Sequence, residues 1–81
     1  MADVIEMSPL GLTHQVAARL RTQLIEGRIA PGSKLNERVL AEQLRVSRTP
    51  LREAIKLLAQ EGLVDLLPNR GAVAVQLTEA D

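Results

Sequence analysis

Two helix-start signals stand close together in the middle of the chain and restrict its fold more than any other feature. Asn36 followed by Glu37 begins one helix, and Ser47 with Pro50 in the next turn begins the other. Asn and Ser side chains accept hydrogen bonds from the free N–H groups of a first helical turn. An acid there complements the helix dipole, and a proline there loses no bond. The first of these helices therefore runs from about Glu37 to Leu44, with Leu40, Ala41 and Leu44 on its buried side. Only Arg45-Val46 separates it from Ser47. Two short helices joined so tightly predict a helix-turn-helix.

The helix after Ser47 runs as far as Glu61, just before Gly62. At about 100° per residue, Leu51, Ala54, Ile55, Leu57 and Leu58 share one side, while Arg48, Thr49, Arg52, Glu53, Lys56 and Gln60 share the other. Arg48, Arg52 and Lys56 are four apart and form one cationic edge. Upstream, Thr13 is a fitting N-cap, and Val16, Ala17, Leu20 and Leu24 make an apolar stripe on a helix that stops at Gly27. Residues 1–12 show no period and include Ser8-Pro9-Leu10-Gly11, so they are expected to be a flexible N-terminal arm. Pro31-Gly32 marks a turn, and Lys34-Leu35 has room only for a stub of strand.

Beyond Gly62 the period changes. Leu63-Val64-Asp65-Leu66-Leu67 and Ala72-Val73-Ala74-Val75-Gln76-Leu77 flank a turn at Pro68-Asn69-Arg70-Gly71, which predicts a two-stranded hairpin with Val73, Val75 and Leu77 on one face. The fold class is thus mainly α with a small β-hairpin: three helices and a two-stranded wing, a winged helix-turn-helix over residues 13–77. Thr78-Glu79-Ala80-Asp81 fits a capping box, the start of a linker or helix leading to a C-terminal domain absent from these 81 residues.

Composition narrows the function. The chain has no Phe, Tyr or Trp, so the core is aliphatic, and the aromatic platforms on which single strands and splayed bases stack are missing. With no Cys and one His, His14, no metal site, disulfide or thiol nucleophile is expected, and no cofactor. His14 itself reads as a surface residue of a first turn. No acid pair or Ser–His constellation suggests an enzyme. The apolar runs are too short for a membrane span and the N-terminus is acidic, so a cytoplasmic protein without membrane contact is expected.

Net charge is zero, but its distribution is not uniform. Residues 1–18 carry −2 and residues 57–81 carry −3, whereas residues 19–56 hold nine Lys or Arg against Glu26, Glu37, Glu42 and Glu53, a local +5. A major groove admits one helix and shows a distinct donor and acceptor pattern at each base pair. Arg48, in a first turn, has the planar fork that matches O6 and N7 of guanine. Arg52 reaches a second base or a phosphate, and the Ser47 and Thr49 hydroxyls sit where a helix N-terminus favours phosphate. Arg38, at the start of the preceding helix, lies where that helix crosses the backbone. Asn69-Arg70-Gly71 forms a tip from which Arg70 enters a minor groove. Lys56, a turn further from the groove end, is divided evenly between this edge and a solvated surface.

Several segments, taken in order, resemble the GntR family of bacterial regulators. They are residues 27–35 (Gly-Arg-Ile-Ala-Pro-Gly-Ser-Lys-Leu), Leu40-Ala41-Glu42-Gln43-Leu44, Val46-Ser47-Arg48-Thr49-Pro50-Leu51-Arg52-Glu53-Ala54, Glu61-Gly62-Leu63 and Asn69-Arg70-Gly71. The resemblance spans about residues 13–81. The Ser47-Arg48-Thr49-Pro50 start and the wing look most like the branch with an all-helical C-terminal domain, the fatty-acid-regulator-like or FCD branch. This implies a full-length homodimer on a palindromic operator of double-stranded DNA, with the 81-residue piece alone compatible with a monomer. It also implies a C-terminal domain that binds a small carboxylate, often through a metal, or an acyl-CoA. Family base and phosphate contacts carry over to Arg38, Ser47, Arg48, Thr49 and Arg52, with the wing at Asn69, Arg70 and Gly71. One departure is Arg45, where the family usually has Gly in the turn. If that position needs positive φ, Arg there costs on the order of 1 kcal/mol, and its charge offers a phosphate contact. The competing reading is a winged helix used as a protein-interaction module, which zero net charge favours and the Arg48, Arg52, Lys56 edge disfavours.

Overall fold

A computed structural model describes residues 9–75. Three helices, α1 (Pro9–Ile25), α2 (Glu37–Leu44) and α3 (Arg48–Gln60), are followed by the antiparallel strands β1 (Val64–Leu67) and β2 (Gly71–Ala74). This is the expected winged helix. No described helix is long and apolar enough to cross a membrane.

The start of α1 corrects the sequence expectation. The helix begins at Pro9, not beside Thr13, so residues 9–12 of the expected arm are helical and Thr13 is buried rather than capping. Proline is pre-shaped for a first helical position, and the core then decides the matter. Thr13, Val16, Ala17, Leu20 and Leu24 recur along one stripe and are all buried, so the first turn is carried into the core by the same face that holds the rest. Residues 1–8 of the arm, together with Leu77 and the Thr78–Asp81 capping box, lie outside the described residues.

α1 packs chiefly on α3, whose Leu51, Ala54, Ile55 and Leu58 are buried. Leu57, expected on the same side, is only half-buried. α2 begins as predicted, with the Asn36 side chain accepting from the Val39 N–H at 3.1 Å. Leu40 is buried, whereas Ala41 and Leu44 are half-buried at the edge of the core.

All three helices end in the same motif. The N–H two places past the last helical turn returns to a carbonyl five residues back: Arg28 to Gln23 at 2.9 Å, Val46 to Ala41 at 3.0 Å and Leu63 to Leu58 at 3.0 Å. Each closure needs a left-handed residue just before that N–H. α1 and α3 place Gly27 and Gly62 there, and α2 places Arg45 with φ 58° and ψ 46°. The positive φ that the helix-turn-helix turn demands is therefore met by a residue that pays a steric penalty for it.

The strand stub is real and does more than fill space. Segment 32–35 lies antiparallel along β2 through Gly32 N–H to Ala74 O, Ala74 N–H to Ser33 O and Leu35 N–H to Ala72 O, each 2.8 Å. β2 is thus flanked on both sides, with Lys34 bridged to Val73 on one and β1 on the other. Its inward face is the one opposite Val73 and Val75: Ala72 and Ala74 are buried and Val73 is half-buried. Buried Leu35 and Val64 belong to the same core cluster, and small side chains let the hairpin close onto it.

A bidentate pair links the ends of the helical layer. Arg21 donates from Nε to Glu61 Oε1 at 2.8 Å and from Nη2 to Oε2 at 2.7 Å, joining α1 to the end of α3. The hydrogen bonds from Arg21 hold the Glu61 carboxyl below the usual carboxylate range, desolvation opposes them slightly, and charge attraction adds to them. A carboxyl depressed on folding contributes stability above its unfolded pKa, and that contribution is lost as pH falls through the folded value. Glu61→Gln is therefore expected to lower the melting temperature at neutral pH, with the gap to the parent closing as pH drops below the ordinary carboxylate range. A gap independent of pH would mean the pair adds nothing through charge. At the other cap, Arg45→Gly is expected to stabilise by about 0.5 to 1 kcal/mol, relief of left-handed strain outweighing the extra chain entropy of glycine. Urea midpoints measure it, and an unchanged or lower midpoint contradicts it.

Candidate nucleic-acid interface

α3 presents its start at the surface because its buried stripe faces α1. Ser47, the N-cap, has extended backbone angles (φ −78°, ψ 170°) and makes no side-chain capping bond. Its hydroxyl and that of Thr49 remain exposed at the free N–H end of the helix, where an anion is favoured. Every residue expected in the interface, Arg38, Ser47, Arg48, Thr49, Arg52, Asn69, Arg70 and Gly71, is exposed.

Their surroundings differ. Arg48 has no carboxylate or hydrogen-bond partner for its side chain among the described residues. Arg52 donates from Nε to Glu37 Oε1 at 2.9 Å, joining the middle of α3 to the first turn of α2. This bond engages Nε and leaves the terminal nitrogens without a partner among the described residues. Arg38 lies 3.9 Å from Glu42 one turn along α2, with 65% of its side chain exposed, a contact too long and too solvated to hold the guanidinium.

The expected cationic edge is not a straight file. Four residues exceed one helical turn by about 40°, so Lys56 stands well round the helix from Arg48. Ser47, Thr49, Glu53 and Lys56 border an open groove of about 650 Å³ against Leu12, Thr13 and His14 of α1. Lys56 is paired with Glu53 at 3.4 Å. Arg48 borders a different cleft of about 450 Å³ on the wing side, with Lys34, Asn36, Glu37, Arg38 and Gly71. The two flanks of the helix start are chemically distinct.

The wing tip is a turn from Leu67 to Arg70, closed by Arg70 N–H to Leu67 O at 3.1 Å. Pro68 fits its second position, and Asn69, with φ 63°, supplies the positive φ its third requires. Arg70 follows as the last residue of the turn, exposed and without a side-chain partner among the described residues. Asn69 thus acts through the shape of the turn, a role that the tripeptide Asn69-Arg70-Gly71 did not separate from contact.

Lys34 was not a candidate from sequence, where it figured only as part of the stub. In the fold it borders the wing-side cleft, and a Cβ placed on Gly71 would lie 3.6 Å from its Cε. The available signal was its place in a segment between two basic elements, but the approach to Gly71 depends on the pairing of 32–35 with β2. Among the described residues no group of His or acidic side chains is arranged to hold a metal.

One arginine without a partner among the described residues thus stands in the first turn of the second helix of a helix-turn-helix, and another closes the turn of the adjacent hairpin. The family model for bacterial regulatory proteins of the gntR family matches residues 12–73. The chain belongs to the GntR family. It is 45% identical over 67 residues to the gluconate operon transcriptional repressor of Bacillus licheniformis, covering 83% of this chain and 27% of that repressor. It is 35% identical over 69 residues to the HTH-type transcriptional repressor RspR of Escherichia coli, covering 85% and 30%. A putative GntR regulator from Rhodococcus sp. RHA1 superposes with a TM-score of 0.75 at 38% identity, over 82% of this chain and 32% of that one. A GntR-family member from Pseudomonas syringae superposes at 0.71 and 32% identity, over 82% and 28%. The chain spans less than a third of each of these proteins. As a GntR-family helix-turn-helix domain it serves sequence-specific DNA binding.

Proposed function

We propose that this domain is the reading head of a longer, ligand-responsive repressor, docking α3 in the major groove and the wing tip in the minor groove. The observation that carries the reading is Arg48: exposed, in the first turn of α3 and free of any carboxylate among the described residues. It reads a guanine. Arg52, its Nε occupied by Glu37, offers its terminal nitrogens to a neighbouring base or phosphate. Ser47 and Thr49 bind phosphate at the helix start, Arg38 binds the backbone, and Arg70 enters the minor groove from a turn shaped by Asn69 and Gly71.

A single small module gains useful affinity from a second half-site, which supports a homodimer on a palindromic operator. The domain proper covers residues 9–77, and Thr78–Asp81 leads towards a C-terminal effector domain of the all-helical FCD type that takes a small carboxylate or an acyl-CoA. Such a regulator works in the cytoplasm. A protein-interaction role for α3 is disfavoured by its surface: the exposed large apolar residues among those described are Ile25, Leu66 and Leu67, and none lies on α3.

Selection of bound duplexes from a random pool, followed by titration of variants on the winners and on base-changed duplexes, tests the docking. Arg48→Ala is expected to lose about 1 to 3 kcal/mol of discrimination at one guanine position while non-specific affinity changes less. Equal loss on every duplex would confine Arg48 to the backbone. Arg70→Ala is expected to weaken binding most on sites with narrow, A·T-rich flanks, and no effect there would take the wing out of the interface.

A further inference from the structure

All four acids of the basic middle segment are paired inside the domain. Glu26 pairs with Arg28, Glu37 with Arg52, Glu42 with Arg38, Glu53 with Lys56, and Glu61 with Arg21 from beyond that segment. Among the described residues, the cations left without a carboxylate are Arg19, Lys34, Arg45, Arg48 and Arg70. Two of these five, Lys34 and Arg48, border the same cleft, and the loosely paired Arg38 borders it with them. Glu37 is the one acid on its rim, and its carboxylate is taken by Arg52 at 2.9 Å. Like charges gathered around an open cleft repel one another, and an anion seated there removes that cost.

The position of the cleft says which anion. It lies between Arg48, at the start of α3, and Gly71, at the base of the wing. If α3 occupies the major groove and the wing tip the adjacent minor groove, the ridge between them is the sugar–phosphate strand that separates the two grooves. That strand must pass across the cleft.

We propose that the Lys34, Arg38 and Arg48 cleft seats one backbone phosphate of that strand, with the Lys34 ammonium as its principal partner. The inference deepens the docking proposed above and rests on it. Lys34 is suited to the task because its backbone is fixed by the pairing of 32–35 with β2, while its side chain runs past Gly71. It therefore couples the placement of the wing to that of the helix-turn-helix. A compact ammonium gives a charge contact without base preference.

The test uses the 81-residue chain and duplexes won from the random pool, with methylphosphonate substituted at one phosphate at a time. For the parent, neutralising one particular phosphate between the guanine read by Arg48 and the minor groove entered by Arg70 is expected to weaken binding. For Lys34→Gln, that same substitution should cost little further. The variant should also bind all duplexes more weakly by the same factor, with a salt slope shallower by about one unit, and Lys34→Arg should restore most of both. Melting curves of the free variants confirm that folding is intact, as expected for an exposed side chain. An unchanged salt slope, or additive losses between Lys34→Gln and every single methylphosphonate, overturns the proposal. If Arg48→Ala and Arg70→Ala retain their groove-specific effects in that case, only the clamp has failed. If those variants lose no discrimination either, the docking itself is wrong and the clamp falls with it.

Discussion

The contact between α1 and α3 holds the remainder of the domain in place. Leu20, Leu51 and Leu58 are fully buried, and Ala17 and Ala54 are completely covered. With no aromatic ring in the chain, the core is built from interlocking aliphatic side chains, each buried Leu worth about 1.5 to 3 kcal/mol. Because one stripe of α3 is committed to α1, the orientation of Arg48 and Arg52 follows from packing. The wing is tied to the same core by Val64, Ala72 and Ala74, all buried. Helix start and hairpin tip are therefore two ends of one rigid scaffold.

Electrostatics then separates the surface of a neutral protein into spent and unspent charge. Surface ion pairs such as Arg38 with Glu42 or Lys56 with Glu53 add little to stability. Their larger effect is on the field: each carboxylate that finds a neighbour on the protein is one fewer to repel a polyanion. A balance of zero over 81 residues is thus compatible with DNA binding, since Glu26, Glu37, Glu42, Glu53 and Glu61 are paired with cations of the domain and the unpaired cations among the described residues include those at α3 and the wing.

What could be read from the sequence was whatever local chemistry determines. The start of α2, the start of α3 and the hairpin turn rest on Asn36, Pro50 and Asn69-Arg70-Gly71, whose preferences act within four residues, although Ser47 caps α3 without the side-chain bond its residue type offers. The start of α1 was misread because Ser8-Pro9-Leu10-Gly11 has the composition of a loop and equally that of a proline-led helix. The burial of Thr13 against the core settles that ambiguity. The hairpin face was ambiguous for a related reason. Alternation defines two faces of a strand but not which one is covered, and the close packing of the hairpin on the core, where Ala72 and Ala74 join Leu35 and Val64, favours the alanines over the bulkier valines. Arg21 with Glu61 and Arg52 with Glu37, 40 and 15 residues apart, depend on tertiary placement and leave no local trace. Lys34 was overlooked on the same ground.

Arg45 shows how a position can be legible and still be strained. Gly27 and Gly62 close the other two helices in the conformation that Arg45 adopts with φ 58°, so the domain has the conformational solution available and does not use it here. Substitution by glycine would ease the backbone and remove a cation that has no partner among the described residues. The turn joins α2 to α3, and any freedom added there is added to the angle between them. An L-residue in this conformation is tolerated only where its surroundings hold it, as the Val46 to Ala41 bond of 3.0 Å and the Arg45 to Glu42 bond of 3.3 Å do. Glycine would relax the turn and widen its range. Strain at this link is thus matched to a task in which the relative position of two helices, rather than their separate stability, sets what is read.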